Sequence, residues 1–343
     1  MDLSRIFLKD ACPTKVGGQA IMEGVMMRGE SRVAVAVRVP DGRIHIKTEP
    51  VGKMGSWARL PIIRGVVSFV SSLVVGMRTL LYSADVLEAY TDDEAETGEP
   101  GRFETWLAKK FGAKAAWNFA IFMAVLMALV MTVVIFILMP TVVINLLGKV
   151  TDNAVLLNLA EGIFRILIFV LYIVAISKMG DIKRTFMYHG AEHKTIHCFE
   201  NGLEMTPENA QQFYRLHPRC GTSFLVFVMV ISLLVFSLMG WPTLWMRLLS
   251  RVVLIPVVAG LSYEVLRWAG RSDNVVVRIL SLPGLYLQKI TTAEPTDDML
   301  EVAIASMKAA TAPADTPFIE GVCDKDGKLV EERRIRSTSE DER

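Results

Sequence analysis

Apolar residues along this chain gather into long unbroken runs rather than the spaced stripes of a soluble core. A membrane-crossing helix needs roughly 20 mainly apolar residues, and four stretches reach that length. Residues 117–140 run from Trp117 to Pro140 without a charge. Residues 154–176 are apolar except for Glu161 and Arg165, and residues 222–240 carry no charge. Residues 248–269 are apolar around Arg251, Glu264 and Arg267. A fifth stretch, 61–82, is interrupted by Arg64, Arg78 and several serines and glycines.

The basic residues decide how the fifth stretch is read. Ten Lys and Arg lie in 1–60, four in 83–115, six in the connection 178–221 and ten after 270. The turn 147–153 holds one and the turn 241–246 none. If 61–82 does not cross, every basic segment falls on one face, which is the positive-inside pattern. We therefore read 61–82 as re-entrant, interfacial or packed on the bundle, with Arg64 and Arg78 snorkelling. Both termini and 178–221 are then expected in the cytoplasm, in a multi-pass protein of a bacterial cell membrane with the lipid bilayer as its solvent.

Outside the apolar runs the pattern changes period. Val33, Val35, Val37 and Val39 alternate with Ala34, Ala36 and Arg38, Pro40-Asp41-Gly42 makes a turn, and Arg43 to Lys47 alternates again. That predicts a β-hairpin over 32–48. Asp181 is placed to cap a helix over 182–200, which Asn201-Gly202 would end, and Thr206-Pro207-Glu208 starts a second short helix. Residues 91–102 read as an acidic linker and 324–343 as a charged, disordered tail. The expected fold class is thus an α-helical integral membrane protein with about four spans, one re-entrant or interfacial helix and a small N-terminal β element. Its expected parts are 1–60 (β element), 61–115 (interfacial helix and linker), 116–290 (membrane domain) and 291–343 (C-terminal helix and tail).

Composition agrees with that picture. Hydrophobic residues make up 52% of the 343 residues, and the mean hydropathy is +0.39. The net charge of +1 gives no polyelectrolyte signal, so nucleic acid is not an expected partner. The four cysteines, Cys12, Cys198, Cys220 and Cys323, follow no disulfide spacing and read as reduced thiols. Residues 1–20 contain Lys9, Asp10, Lys15 and paired glycines where a cleavable signal would need an apolar core.

Candidate chemistry concentrates in the 178–221 connection, which holds four of the five histidines. It reads Tyr188-His189-Gly190-Ala191-Glu192-His193-Lys194-Thr195-Ile196-His197-Cys198, and later His217-Pro218-Arg219-Cys220-Gly221. Residues four apart on a helix are neighbours at about 5–6 Å, so His189 and His193 share a face on which two imidazoles can meet one Zn²⁺. His-x-x-Glu-His is the inverted zinc-protease helix motif, with Glu192 as general base. His217 or Cys220 is the expected further ligand, His197 is the weakest member, and Cys198 faces elsewhere as packing. The competing reading is a solvated amphipathic helix whose histidines cap or touch lipid headgroups and whose Glu192 pairs with Lys194.

Weaker features surround this cluster. Gly17–Gly29 is glycine-rich but lacks phosphate-loop spacing. Glu161 and Arg165 form an i, i+4 pair inside a span. The acidic stretch 291–301, Glu294 included, is a helix start, with donation of a carboxylate ligand as its functional alternative.

These segments together resemble the YqhQ-like family of bacterial multi-spanning membrane proteins, described as predicted metal-dependent enzymes. The matching stretches are GGQAIMEGVMMRG (17–29), YHGAEHKT (188–195), HPRCGTSF (217–224), YEVL (263–266) and TTAEPTDDMLEVA (291–303). Ala293 departs from the family pattern as an Arg position, and His197 lies outside the matching core. The resemblance implies a membrane location and a metal, and no substrate. The sequence-level expectation is zinc-assisted hydrolysis of a peptide or lipid-linked substrate at the cytoplasmic face. A metal-ion transporter or sensor, or a non-catalytic membrane scaffold, is the alternative.

Overall fold

The structure, a computed structural model, describes residues 12, 14–52, 55, 60–91, 113–147, 153–239, 243–269, 275–323 and 329–331. The acidic stretch 92–102 lies outside them, as does the charged tail except for 329–331. The helices are α1 (Ile63–Tyr90), α2 (Ala113–Val133), α3 (Met139–Leu147), α4 (Ala154–Ile176), α5 (Gly180–Glu200), α6 (Pro207–Gln211), α7 (Thr222–Ser237), α8 (Leu244–Ala269), α9 (Val275–Thr291) and α10 (Asp297–Thr311). Two compact units result. One comprises Met1–Thr91, Tyr172–Ile231 and Ile255–Arg343, the other Asp92–Leu171 and Ser232–Leu254. The C-terminal segment folds with the N-terminal one in the first unit.

The first unit is built on a six-stranded antiparallel sheet whose strands lie in chain order: β1 (Gly17–Ile21), β2 (Gly24–Arg28), β3 (Arg32–Arg38), β4 (Ile44–Pro50), β5 (Glu320–Cys323) and β6 (Leu329–Glu331). The hairpin expected at 32–48 is β3–β4, with Ala36 opposite Ile46. The glycine-rich segment forms the tight β1–β2 hairpin, with Ile21 opposite Gly24. β6 lies inside the segment expected to be disordered.

Strand alternation sorts side chains onto two buried faces. Val25, Met27, Ala34, Ala36, Ile44 and Ile46 join Tyr188, Ala191 and Ile196 of α5 and Met299, Val302, Ala303 and Met307 of α10. The opposite face carries Ile21, Met26, Val35 and Val37, which pack with Val75, Leu80, Tyr82, Val86 and Tyr90 of α1. Both faces of β3 are therefore covered, and the alanines lie under α5 and α10. Small side chains there let α10 approach until Ser306 Oγ donates to Ala34 O at 3.1 Å.

Helix α5 is a core helix rather than a solvated one: eleven of its residues, from Tyr188 to Glu200, are buried, which removes the amphipathic-surface reading. Its N-cap is Met179, with Asp181 in the first turn, and Gly202 ends it in the left-handed region (φ 65). Thr206 caps α6 as expected, accepting from Asn209 N–H.

Among the described residues, four helices are long and apolar enough to cross a membrane: α1, Phe119–Leu146, α4 and Trp245–Trp268. The number agrees with the expectation, but the set differs. Helix α1 qualifies, and α7 falls short at 16 residues.

In the second unit a π-helical turn, Val134–Leu138, separates α2 from α3. The Phe136 carbonyl in that turn accepts from Arg165 Nε at 2.8 Å. Buried Glu161 accepts from Arg165 (2.9 Å), Thr141 (2.8 Å) and Arg251 (2.7 Å). The i, i+4 pair seen in sequence is thus part of a larger network.

Candidate metal centre

The site begins with Gly190. A Cβ there would lie 2.1 Å from the Ala293 carbonyl oxygen, so only glycine lets the segment after α9 run this close to α5. Ala293 N–H donates to Phe186 O at 2.8 Å and fixes that approach. The Thr291 carbonyl is thereby set 2.8 Å from His189 Nδ1. One turn on, His193 Nδ1 lies 2.6 Å from the Arg215 carbonyl. A carbonyl only accepts, so both Nδ1 atoms carry a proton, and in the neutral, metal-ligating form of each ring Nε2 presents the lone pair.

Those lone pairs converge. His189 Nε2 is 3.3 Å from Cys220 Sγ, and the two imidazole centroids are 4.5 Å apart. His193 Nε2 is buried without a hydrogen-bond partner. One donor atom each from His189, His193 and Cys220 lies within 4.8 Å of the others. The Thr222 hydroxyl donates to the same sulfur at 3.3 Å. Burial would raise the Cys220 thiol, but the adjacent His193 and His189 rings outweigh it and draw the thiol well below its ordinary range. Burial likewise opposes the charge on His189, yet the Cys220 sulfur and the Glu192 carboxylate push it up to about 9. Two imidazoles held by carbonyls in one tautomer, an orphaned buried nitrogen and a thiolate-prone cysteine form a donor set suited to zinc.

Glu192 stands beside the three donors. Gly18 gives it room: a Cβ there would sit 2.8 Å from the carboxyl carbon, and the Gly18 amide donates to the carboxylate. Burial raises the Glu192 carboxyl. Lys194 is engaged elsewhere, by Glu294 at 2.9 Å and the Gln211 side chain at 2.8 Å, so a Glu192–Lys194 surface pair does not describe this helix. A cavity of about 220 Å³ opens here, lined by Gly17, Gly18, Glu192, His193, His217 and Cys220 among others.

Other candidates from sequence take different places. His217 is set back: its Nδ1 accepts from Arg219 N–H at 3.3 Å, and its Nε2 lies 3.8 Å from Glu200 Oε2. It is not among the three converging donors, and burial pushes it down to about 3. Glu200 resists the effect of burial, since the His217 ring, the Thr14 amide and Arg219 hold it down to about 2. His197, the weakest member of the sequence cluster, is buried, stacks on Phe213 and lies 3.1 Å from the Leu216 carbonyl. Burial takes it to about 4. Cys198 is core packing, as read from sequence. Glu294 is exposed and pairs with Lys194 and Arg215, so it is no ligand. Sequence reasoning missed Gly18, Thr291 and the Arg215 carbonyl. The first two lie in stretches 17–29 and 291–303, whose shared pattern was their only signal.

A helical chain with membrane-length apolar helices, a six-stranded sheet and a buried His–His–Cys cluster defines the class of protein. A family described as "Protein of unknown function (DUF1385)" matches residues 60–313. The chain is 34% identical over 308 residues to "Uncharacterized protein YqhQ" of Bacillus subtilis (strain 168), across 87% of this chain and 92% of that one. The chain belongs to this YqhQ-like, DUF1385 family. No solved structure matches it.

Proposed function

We propose that this protein is a metal-dependent hydrolase of the bacterial cell membrane, with its centre on the cytoplasmic face. The observation that carries the reading is the pair of imidazoles on α5, each with Nδ1 tied to a main-chain carbonyl and Nε2 turned toward Cys220. His189, His193 and Cys220 would hold the metal, zinc being the ion that nitrogen and thiolate donors suit. Bound there, zinc would supply Lewis acidity and lower the pKa of water to about 7. Glu192, held by the Gly18 amide at the cavity wall, would accept the water's proton and return it to the leaving group. The Thr291 and Arg215 carbonyls would keep both imidazoles in the ligating tautomer through turnover. His217 serves as a neutral wall of the cavity.

For the membrane arrangement, physical reach favours a dipping α1. From Val75 onward α1 packs on the sheet, and His45 Nε2 meets the Tyr82 hydroxyl at 2.9 Å. Only residues 63–74 remain, twelve residues or about 18 Å at about 1.5 Å each. A hydrocarbon core of about 30 Å needs more. We therefore assign crossings to Phe119–Leu146, α4, α7 and α8, with both termini cytoplasmic.

Glu192→Gln tests the chemistry. The amide keeps size and shape but cannot take the proton. The variant should insert, fold and hold wild-type zinc, yet fail to complement a deletion strain. Complementation at native expression would end the hydrolase reading and favour a metal transporter or sensor.

A further inference from the structure

The inner cavity has a second, larger neighbour. A cavity of about 580 Å³ lies along α1, lined by Ser68, Ser72, Gly76, Phe224, Tyr263 and Leu266, with Gln19 at one end. The two cavities share Gly221. Gln19 follows Gly18, whose amide holds Glu192, and Thr222, also in the larger lining, donates to Cys220 Sγ. A Cβ on Gly221 would meet nothing within 4 Å, so no side chain stands at the residue the two linings share. A greasy slot therefore borders the reactive cluster.

The lining is mostly apolar, with small serine and glycine positions of α1 forming one wall and the tilted pair Phe69–Phe224 (5.6 Å) within it. Leu73 and Met77 of the same lining remain exposed. The size selects the occupant. A helix about 10 Å across would exhaust 580 Å³ in about 7 Å of its length, under two turns. A single hydrocarbon chain is narrower, and the volume lies within the range of about 300–1,000 Å³ usual for small-ligand sites. The position also fits, since residues 63–74 of α1 are the part left to meet lipid.

We propose that this slot binds the hydrocarbon tail of a membrane lipid and presents the lipid's polar head to the His189–His193–Cys220 centre. The protein's substrate class is then a lipid or lipid-linked compound rather than a transmembrane peptide. The assignment of the slot rests on its geometry; its role in hydrolysis rests on the function proposed above.

The test uses the full-length protein reconstituted in phosphatidylcholine vesicles containing phosphatidylglycerol with a diazirine in its acyl chain. After irradiation, adducts are mapped by mass spectrometry and zinc is measured on the same sample. Adducts should concentrate at 68–80, 221–225 and 263–266 relative to the lipid-exposed residues 119–133, and unlabelled lipid should compete them away. Ser72→Trp should reduce slot adducts to the level of 119–133 while zinc is retained. Even labelling of all apolar helices, or slot adducts displaced by a transmembrane helical peptide but not by lipid, would overturn the proposal. Slot adducts in a preparation without zinc would uphold the lipid site and overturn the metal reading instead.

Discussion

Replacing Gly190 with alanine sets two effects of opposite sign against each other. Alanine is the better helix former by about 1 kcal/mol, so an unconstrained position would gain stability. Here the new Cβ would stand 2.1 Å from the Ala293 carbonyl oxygen, where real contacts do not fall below 3.0 Å. Relief requires a shift of at least 3.0 − 2.1 = 0.9 Å, and the obstacle is main chain rather than a side-chain tip. Directed along a 2.8 Å hydrogen bond, that shift opens it to 3.7 Å; Ala293 N–H to Phe186 O and His189 Nδ1 to Thr291 O are both 2.8 Å. Overpacking costs about 1–3 kcal/mol and each lost bond about 0.5–1.5 kcal/mol, so the clash outweighs propensity. The net loss should be about 1–5 kcal/mol. Urea unfolding in detergent reads this loss. Titration with a zinc indicator should show a drop in affinity of about 10–100-fold, the usual effect of removing a partner that orients a ligand. Wild-type stability would refute the packing argument. Reduced stability with unchanged zinc affinity would refute the claim that the Thr291 carbonyl prepares His189.

The set-back position of His217 predicts that His217→Ala keeps about one zinc per chain, as a site of three protein ligands allows, whereas Cys220→Ser, or His189→Ala with His193→Ala, loses it; metal analysis of purified variants decides. Chelation should speed alkylation of Cys220 and leave exposed Cys12 unchanged; equal rates with and without chelator would remove Cys220 from the ligand set. Glu161→Gln leaves Arg165 and Arg251 without their shared carboxylate and should cost about 3–5 kcal/mol in thermal unfolding, a value below 1 kcal/mol marking the network as dispensable. Introduced cysteines at 150 and 243 should label from outside the cell and one at 95 only from inside; outside labelling at 95 would make α1 a full crossing.

What could be read in advance follows from the range of each signal. Apolar runs, the 32–48 hairpin and the His189–Glu192–His193 face are local patterns, visible within a few residues. The sheet's completion by β5 and β6 is not local, because β4 and β5 pair across some 270 residues of chain, Lys47 with Glu320. The cover of β3 is non-local for the same reason. Ala34 and Ala36 pack under a helix more than 260 residues away in sequence. Helix α1, read from sequence as re-entrant or interfacial, is long and apolar enough to cross a membrane, while from Val75 onward it packs on Ile21, Met26 and Val35 of the sheet.

The His–His–Cys cluster shows where sequence spacing stops being informative. His217 and Cys220 are three residues apart and equally placed to complete a His–His pair, and no count of positions separates them. The Arg219 amide does: by donating to His217 Nδ1 it occupies one ring lone pair and leaves the remaining nitrogen, with its proton, toward Glu200. Cys220, next in the turn, is left with His189 Nε2 at 3.3 Å and the Thr222 hydroxyl at the same distance. Two adjacent main-chain positions thus divide the work, one neutralising a histidine as a wall and the other exposing a thiol to two lone pairs. The same division explains why two glycines outside the histidine motif matter to it. Gly190 admits the Ala293 carbonyl and with it the segment whose Thr291 carbonyl orients one imidazole, and Gly18 admits the carboxylate that stands beside it. Each substitutes close approach for a side chain, and neither role can be assigned until the three segments meet.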